Sequence, residues 1–166
     1  LSIQKEFPKK KEITMGTQQI LLIVLSVIIV GVAIIVGIGM FNRQAYNSNA
    51  QAIASDARNY ATEVVQYWNT PMADGGAGAT SDSLTAVNMT AANLAARLKI
   101  GANEAGAVSN ENGKYWVSSV SAAAPYEYVI SGVGKAERGG QNPKIETTVT
   151  LPAGDIVGAA SEVAAP

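Results

Sequence analysis

The 166-residue chain contains neither cysteine nor histidine. The first absence excludes disulfides, thiolate nucleophiles and thiolate metal ligands. The second removes the commonest general base near neutral pH and the commonest metal ligand. Aromatic residues make up only 6% of the chain, too few for a path of rings, so Tyr46, Tyr60, Tyr67 and Trp68 are read as packing residues. Charge is scarce as well: twelve Lys or Arg stand against thirteen Asp or Glu, with no concentrated basic face of the kind nucleic acid requires. Asp74, Asp82, Glu104 and Glu111 are scattered without the spacing of a calcium loop, and no carboxylates pair as acid and base. The residues imply no cofactor, no metal and no enzyme.

What is present is a long uncharged run. No charged residue occurs between Glu12 and Arg43, and Ile20–Phe41 is long and apolar enough to cross a bilayer as a helix. Four of the twelve basic residues (Lys5, Lys9, Lys10 and Lys11) precede it, against Glu6 and Glu12, while the chain beyond is net acidic. The positive-inside tendency keeps the basic end in the cytoplasm and exports the rest. A cleaved secretory signal has a shorter apolar core ending at a small-x-small site. Gly39-Met40-Phe41-Asn42 does not supply one.

The segment Lys9-Lys10-Lys11-Glu12-Ile13-Thr14-Met15-Gly16 is a short basic leader ending in glycine, directly ahead of the apolar run. Here the chain resembles a type IV pilin precursor, a superfamily that includes secretion pseudopilins and archaeal pilins. The resemblance implies that a prepilin peptidase cuts between Gly16 and Thr17, and that an assembly machinery moves the subunit from the membrane into a helical homopolymer on the cell surface. Identical subunits would then be its partners. The filament core would be packed by Ile20, Leu21, Leu25, Ile28, Gly31, Ile35, Gly37 and Gly39. Bacterial members usually begin the mature chain with an apolar residue and carry Glu at its fifth position. Here those places hold Thr17 and Leu21, so the usual charge pairing with a neighbour's N-terminus is not supplied.

Beyond the membrane segment, Tyr46, Ala50, Ile53, Ala57, Tyr60, Val64 and Tyr67 recur at alternating spacings of four and three. That spacing puts all seven on one helical face, a seam for packing a head domain. Thr70-Pro71 ends the helix. The reading is one nearly continuous helix over Thr17–Asn69, about 80 Å long at 1.5 Å per residue. Gly31, Gly37 and Gly39 read either as ordinary membrane-helix glycines or as sites of close helix approach or local melting when subunits stack, and Ser26 as bonded back to its own helix. Residues 72–83 read as a Gly/Ala/Ser loop, with Leu84–Met89 ambiguous between loop and helix. Thr90 then caps a short helix through AANLAARLKI, stopped by Gly101.

From Asn110 the period becomes two. Asn112-Gly113 signals a turn, and strand-like runs follow at Lys114–Ser121, Tyr126–Val133 and Ile145–Leu151. The Ala-rich tail Gly154–Pro166 is read as either disordered or an edge addition. The fold class expected is α+β: a long N-terminal helix, half membrane-spanning and half amphipathic, packed on a small antiparallel sheet. The domains are a leader (1–16), an apolar helix (17–42), its amphipathic continuation (43–69) and a globular head (70–166).

Three motifs have plain explanations. Gly132-Val133-Gly134-Lys135 lacks the first glycine and the hydroxyl residue of a phosphate loop, and reads as a strand running into a hairpin. Lys135, Arg138 and Lys144 read as a solvated loop before a DNA-contacting tip. Asn88-Met89-Thr90 fits a glycosylation acceptor, but Thr90 is better used as a cap. Two alternatives remain beside the filament subunit: a minor pseudopilin of a secretion system, and a single-span anchored surface protein whose head binds a partner.

Overall fold

The computed structural model describes residues 12–78, 88–121 and 126–165. Two compact units divide at Phe41/Asn42. Helix α1 (Glu12–Asn69) supplies the first unit with its apolar part and the second with its polar part. It begins five residues before the expected Thr17, so the Gly16–Thr17 bond is helical. Thr70 terminates it: its N–H and Oγ1 both donate to Gln66 O, at 3.0 and 2.8 Å, before Pro71 diverts the backbone. Met72–Asp74 then forms one 3₁₀ turn within the expected loop. Residues 79–87, including Asp82 and most of Leu84–Met89, lie outside the described residues, as do Lys5, Lys9–Lys11 and Pro125.

The second unit is α+β. Helix α2 (Ala91–Leu98) starts where Thr90 Oγ1 accepts from Asn93 N–H at 3.3 Å. It buries Leu94, Ala95 and Leu98. The stop is not Gly101 but Lys99, which takes the left-handed conformation at φ 56°. Gly101 has a different task. It bridges to Trp116, and a Cβ there would lie 2.6 Å from both Ala107 Cα and Gly106 O.

Five antiparallel strands follow in simple meander order: β1 (Val108–Ser109), β2 (Gly113–Val120), β3 (Tyr126–Gly134), β4 (Gln141–Leu151) and β5 (Asp155–Ala164). The three expected runs are β2, β3 and β4; the short β1 was not foreseen. The tail is the edge strand β5, in continuous register with β4 from Gln141↔Ala164 to Thr150↔Asp155. The β3–β4 hairpin turns at Gly139 and Gly140, whose φ values of 62° and 78° suit the tight turns that match strand twist.

A bulge in β2 between Val117 and Ser119 changes which side chains face the core. Tyr115 and Val117 are buried, and strict alternation would turn Val120 away. The extra residue reverses the parity, so Val120 packs against the core cluster instead. From Pro143 onward the alternation on β4 is unbroken: Ile145, Thr147 and Val149 are buried.

The face of α1 that meets this sheet drifts relative to the expected seam. Tyr46, Ile53, Ala57 and Val64 are buried, but farther along it is Ala61 and Trp68 that are buried, while Ala50, Tyr60 and Tyr67 are partly exposed. A 3.5-residue repeat lags a straight 3.6-residue helix by ~20° per heptad. Three heptads after Tyr46, the inward position has therefore passed from Tyr67 to Trp68.

Gly113 sits where strand backbones leave no room. A Cβ there would lie 2.3 Å from Val133 O. Gly113→Ala is expected to lower stability by about 1–3 kcal/mol through overpacking. At Gly158 an added Cβ meets only ordinary contacts at 3.8 Å. Thermal unfolding of the two alanine variants should separate them clearly; equal transitions would show that β2 and β3 are not held this close.

Candidate functional site

In the first unit, every large apolar residue from Ile20 to Phe41 is at least half exposed, from 50% at Leu25 to 77% at Phe41. The exposure runs around the whole helix and is not confined to one face. A helix apolar on all sides is a buried or membrane-spanning element. This one is long and apolar enough to cross a membrane, and none of that window is buried within the chain.

The residues expected to pack a filament core all lie on this surface. Ile20, Leu21, Leu25, Ile28 and Ile35 are exposed. A Cβ placed on Gly31, Gly37 or Gly39 would meet nothing within 4 Å. The smallness of these glycines therefore serves no contact among the described residues. Ser26 Oγ donates to Ile23 O at 2.8 Å, satisfying its hydroxyl within the helix. A Cβ placed on Gly16 would likewise meet nothing within 4 Å.

In the second unit, α1 is tied to the sheet by polar groups that the apolar pattern did not reveal. Asp56 sits on the helix beside the seam. Its Oδ2 accepts from Asn110 Nδ2 at 3.0 Å, Asn112 Nδ2 at 2.9 Å and Tyr115 Oη at 2.7 Å. One carboxylate oxygen thus holds the β1–β2 turn and a buried tyrosine of β2. Burial alone would raise its pKa, but the hydrogen bonds from Asn112, Tyr115 and Asn110 outweigh that and hold the carboxyl below its ordinary range. Burial and the same bond push the Tyr115 hydroxyl far up, so it remains a donor. The Tyr115 ring also meets Tyr60 edge-on at 5.3 Å between centroids.

Asn49, two turns earlier, makes a second tie. Its Nδ2 donates to Asn112 O at 2.8 Å, and its Oδ1 accepts from Ala136 N–H at 3.1 Å. Gly134 makes room for it, since a Cβ there would lie 2.1 Å from Asn49 Oδ1. That close approach, together with Gly132 against the Tyr115 ring, accounts for the glycines of the Gly132–Lys135 motif without a phosphate. The signal available in the sequence was Asn49 and Asp56, seven residues apart and flanking an apolar seam.

A third tie joins α1, the β3–β4 hairpin and β5. Tyr46 Oη donates to Glu162 Oε1 at 2.8 Å, Arg138 pairs with the same oxygen at 2.7 Å, and the Arg138 guanidinium lies 4.4 Å from the Tyr46 ring centroid. Lys144 pairs with Glu146 at 2.9 Å, and Lys135 Nζ donates to Asn110 O. The three cations considered as a DNA-contacting tip therefore each have a partner within the head. At the far end of the seam, Trp68 lies 5.5 Å from Tyr126 and Arg97 lies 5.7 Å from Tyr67.

Among the described residues there is no group of three or more His, Cys, Asp or Glu placed to hold a metal ion. Asn88 of the glycosylation-like triplet is partly buried, Met89 is buried, and Thr90 is engaged in capping. Comparison of the chain with protein-family models, with curated proteins and with solved structures returns no match.

Proposed function

We propose that this chain is a structural subunit of a pilus-like extracellular filament, stored in the membrane through its apolar helix and assembled through the same surface. The observation that carries the reading is the apolar segment Ile20–Phe41, exposed on every side and continuous in one helix with a segment that holds a folded head. Leaving that apolar surface in water costs ~25 cal/mol per Å². A lipid bilayer or a bundle of identical helices removes the cost, and transfer between them has to be coupled to assembly. The basic leader ending in Gly16, resembling a prepilin leader, supplies the route. Residues 20–41 would fill the core, and Gly31, Gly37 and Gly39 would give neighbouring helices close approach.

The second reading is a permanently anchored surface protein. The unbroken helix through Gly16–Thr17 favours it, because an anchor needs no cut there. N-terminal sequencing and intact mass of material sheared from cell surfaces separate the two. A chain beginning at Thr17 in a high-molecular-weight surface fraction is expected. A chain that retains Lys9–Lys11 and stays with membranes would replace the filament reading with the anchor.

A further inference from the structure

The sheet has two unlike edges. On one side β2 is covered by β1 and by Gly101, whose N–H donates to Tyr115 O and whose carbonyl accepts from Val117 N–H at 3.0 and 2.8 Å. The other side is the whole length of β5, exposed along almost every residue. Natural edge strands are usually blunted by brevity, proline, charged side chains (lysine above all) or a bulge; the charges of β5, Asp155 and Glu162, stand towards its two ends. Asp155–Ala164 (DIVGAASEVA) is ten residues long with no proline or lysine, and its register with β4 has no irregularity.

The hydrogen-bond parity of that edge follows from one bond. Gly140 and Ala165 continue the β4–β5 register, and Ala165 N–H donates to Gly140 O at 2.9 Å. Opposed residues in an antiparallel ladder alternate between bonded and non-bonded pairs. The odd-numbered residues of β5 therefore bond β4. Ile156, Gly158, Ala160, Glu162 and Ala164 direct N–H and C=O to the open side.

The side chains on this edge complement themselves. Ile156, Gly158 and Ala160 fall on the face that carries α1, because they oppose the buried Val149, Thr147 and Ile145. Beside Ala160 lies a largely apolar crevice of about 270 Å³, bounded by Tyr46, Ala50, Ile53, Ala54 and Ile145 and lined also by Lys144 and Glu162. Ile156, 37% exposed, is the large apolar residue of that face of β5.

We propose that β5 pairs antiparallel with β5 of a second copy, about a two-fold axis at Gly158. In that register Ile156 of each copy opposes Ala160 of the other and enters its crevice, while glycine meets glycine on the axis. On the opposite face Val157 opposes Ala159. Asp155 opposes Ser161, the register neighbour of Lys144, which gives its carboxylate a cation within reach. The axis stands perpendicular to the merged sheet, so the Asn42–Asn69 helices of the two copies run antiparallel on one face. The contact therefore joins copies that point in opposite directions, unlike the head-to-tail repeat of a single filament.

A chain without cysteine makes the test clean. In Gly158→Cys the two Cα atoms across the axis would be about 5.5 Å apart, within the range a disulfide spans. In Ala164→Cys they would be about 40 Å apart at ~3.4 Å per residue. With the full chain in detergent and diamide as oxidant, Gly158→Cys is expected to yield a covalent dimer and Ala164→Cys to remain monomeric. Adding Ala160→Pro to Gly158→Cys removes an outward N–H while sparing the ladder to β4. It should cut the dimer yield at least about tenfold, equivalent to the loss of ~1.4 kcal/mol of pairing, with thermal unfolding retained. Ile156→Glu, which brings a carboxylate towards Glu162 in the crevice, should do the same if the proline variant fails to fold. No dimer from Gly158→Cys, equal yield from Ala164→Cys, or a yield indifferent to a folded second change would overturn the proposal.

Discussion

Replacing Gly16 with leucine is expected to leave the precursor uncut, held in the membrane with residues 1–16 attached, and to abolish filaments in the sheared fraction. The expectation rests on the proposed leader cleavage, and the structure makes the variant easy to interpret. A Cβ at Gly16 meets nothing within 4 Å, and the residue lies inside α1. Leucine is the better helix former by about 0.8 kcal/mol, so the change costs the fold nothing. A defect would therefore arise from loss of the cut and not from misfolding. Intact mass of the membrane fraction and shearing of the cell surface read the two halves of the result. Filaments of normal abundance from the leucine variant would remove the leader from the mechanism.

The second large effect lies in the head. Asp56→Ala leaves Asn110, Asn112 and the buried Tyr115 hydroxyl without their shared acceptor. Bonds to a charged group contribute about 1.5–3 kcal/mol each, and a buried donor left unpaired costs ~1–3 kcal/mol. Because the two asparagines are partly exposed and water replaces part of their loss, the net destabilisation is expected near ~3 kcal/mol. For a unit of this size that is a fall of about 10 °C in Tm. Near-ultraviolet circular dichroism follows the melt through Tyr115 and Tyr60. A variant melting with the wild type would mean that the turn at Asn110–Gly113 is held by backbone bonds alone.

The same carboxylate gives the head an acid limb. Its folded pKa lies below the ordinary value, so the unfolded chain takes up the proton more readily. The stabilisation is then fully present above about pH 4, the pKa of an unperturbed aspartate. It is lost as pH falls through the lower, folded value. Asp56→Asn should flatten this part of the stability profile; an acid limb that persists unchanged in that variant would show that the Asp56 carboxylate is not its source.

Which features were legible follows from how local each one is. The membrane-length segment, the α1 stop at Thr70-Pro71, the Thr90 cap and the three principal strands rest on composition, period or a single residue's backbone preference. The drift from Tyr67 to Trp68 depended on whether α1 supercoils or stays straight, which the spacing of apolar residues does not reveal. The β2 bulge was hidden because Val117-Ser118-Ser119-Val120 fits either parity of side chain. Lys99 is not legible as a helix stop because glycine, present two residues further on at Gly101, is the usual left-handed residue.

The candidate surfaces divide in the same way. Apolarity from Ile20 to Phe41 is a property of the linear chain, since transfer from water depends on the residues and scarcely on their neighbours. So are the absence of histidine and cysteine chemistry and the basic start ahead of the apolar run. The Asp56 anchor and the Tyr46–Arg138–Glu162 cluster join α1 to residues 54 to 116 positions away. Nothing in the sequence marks these partners before the meander brings them together. The open edge of β5 is tertiary for a further reason: an Ala-rich tail becomes a strand because β4 offers it a ladder, and that ladder fixes which backbone groups face outward.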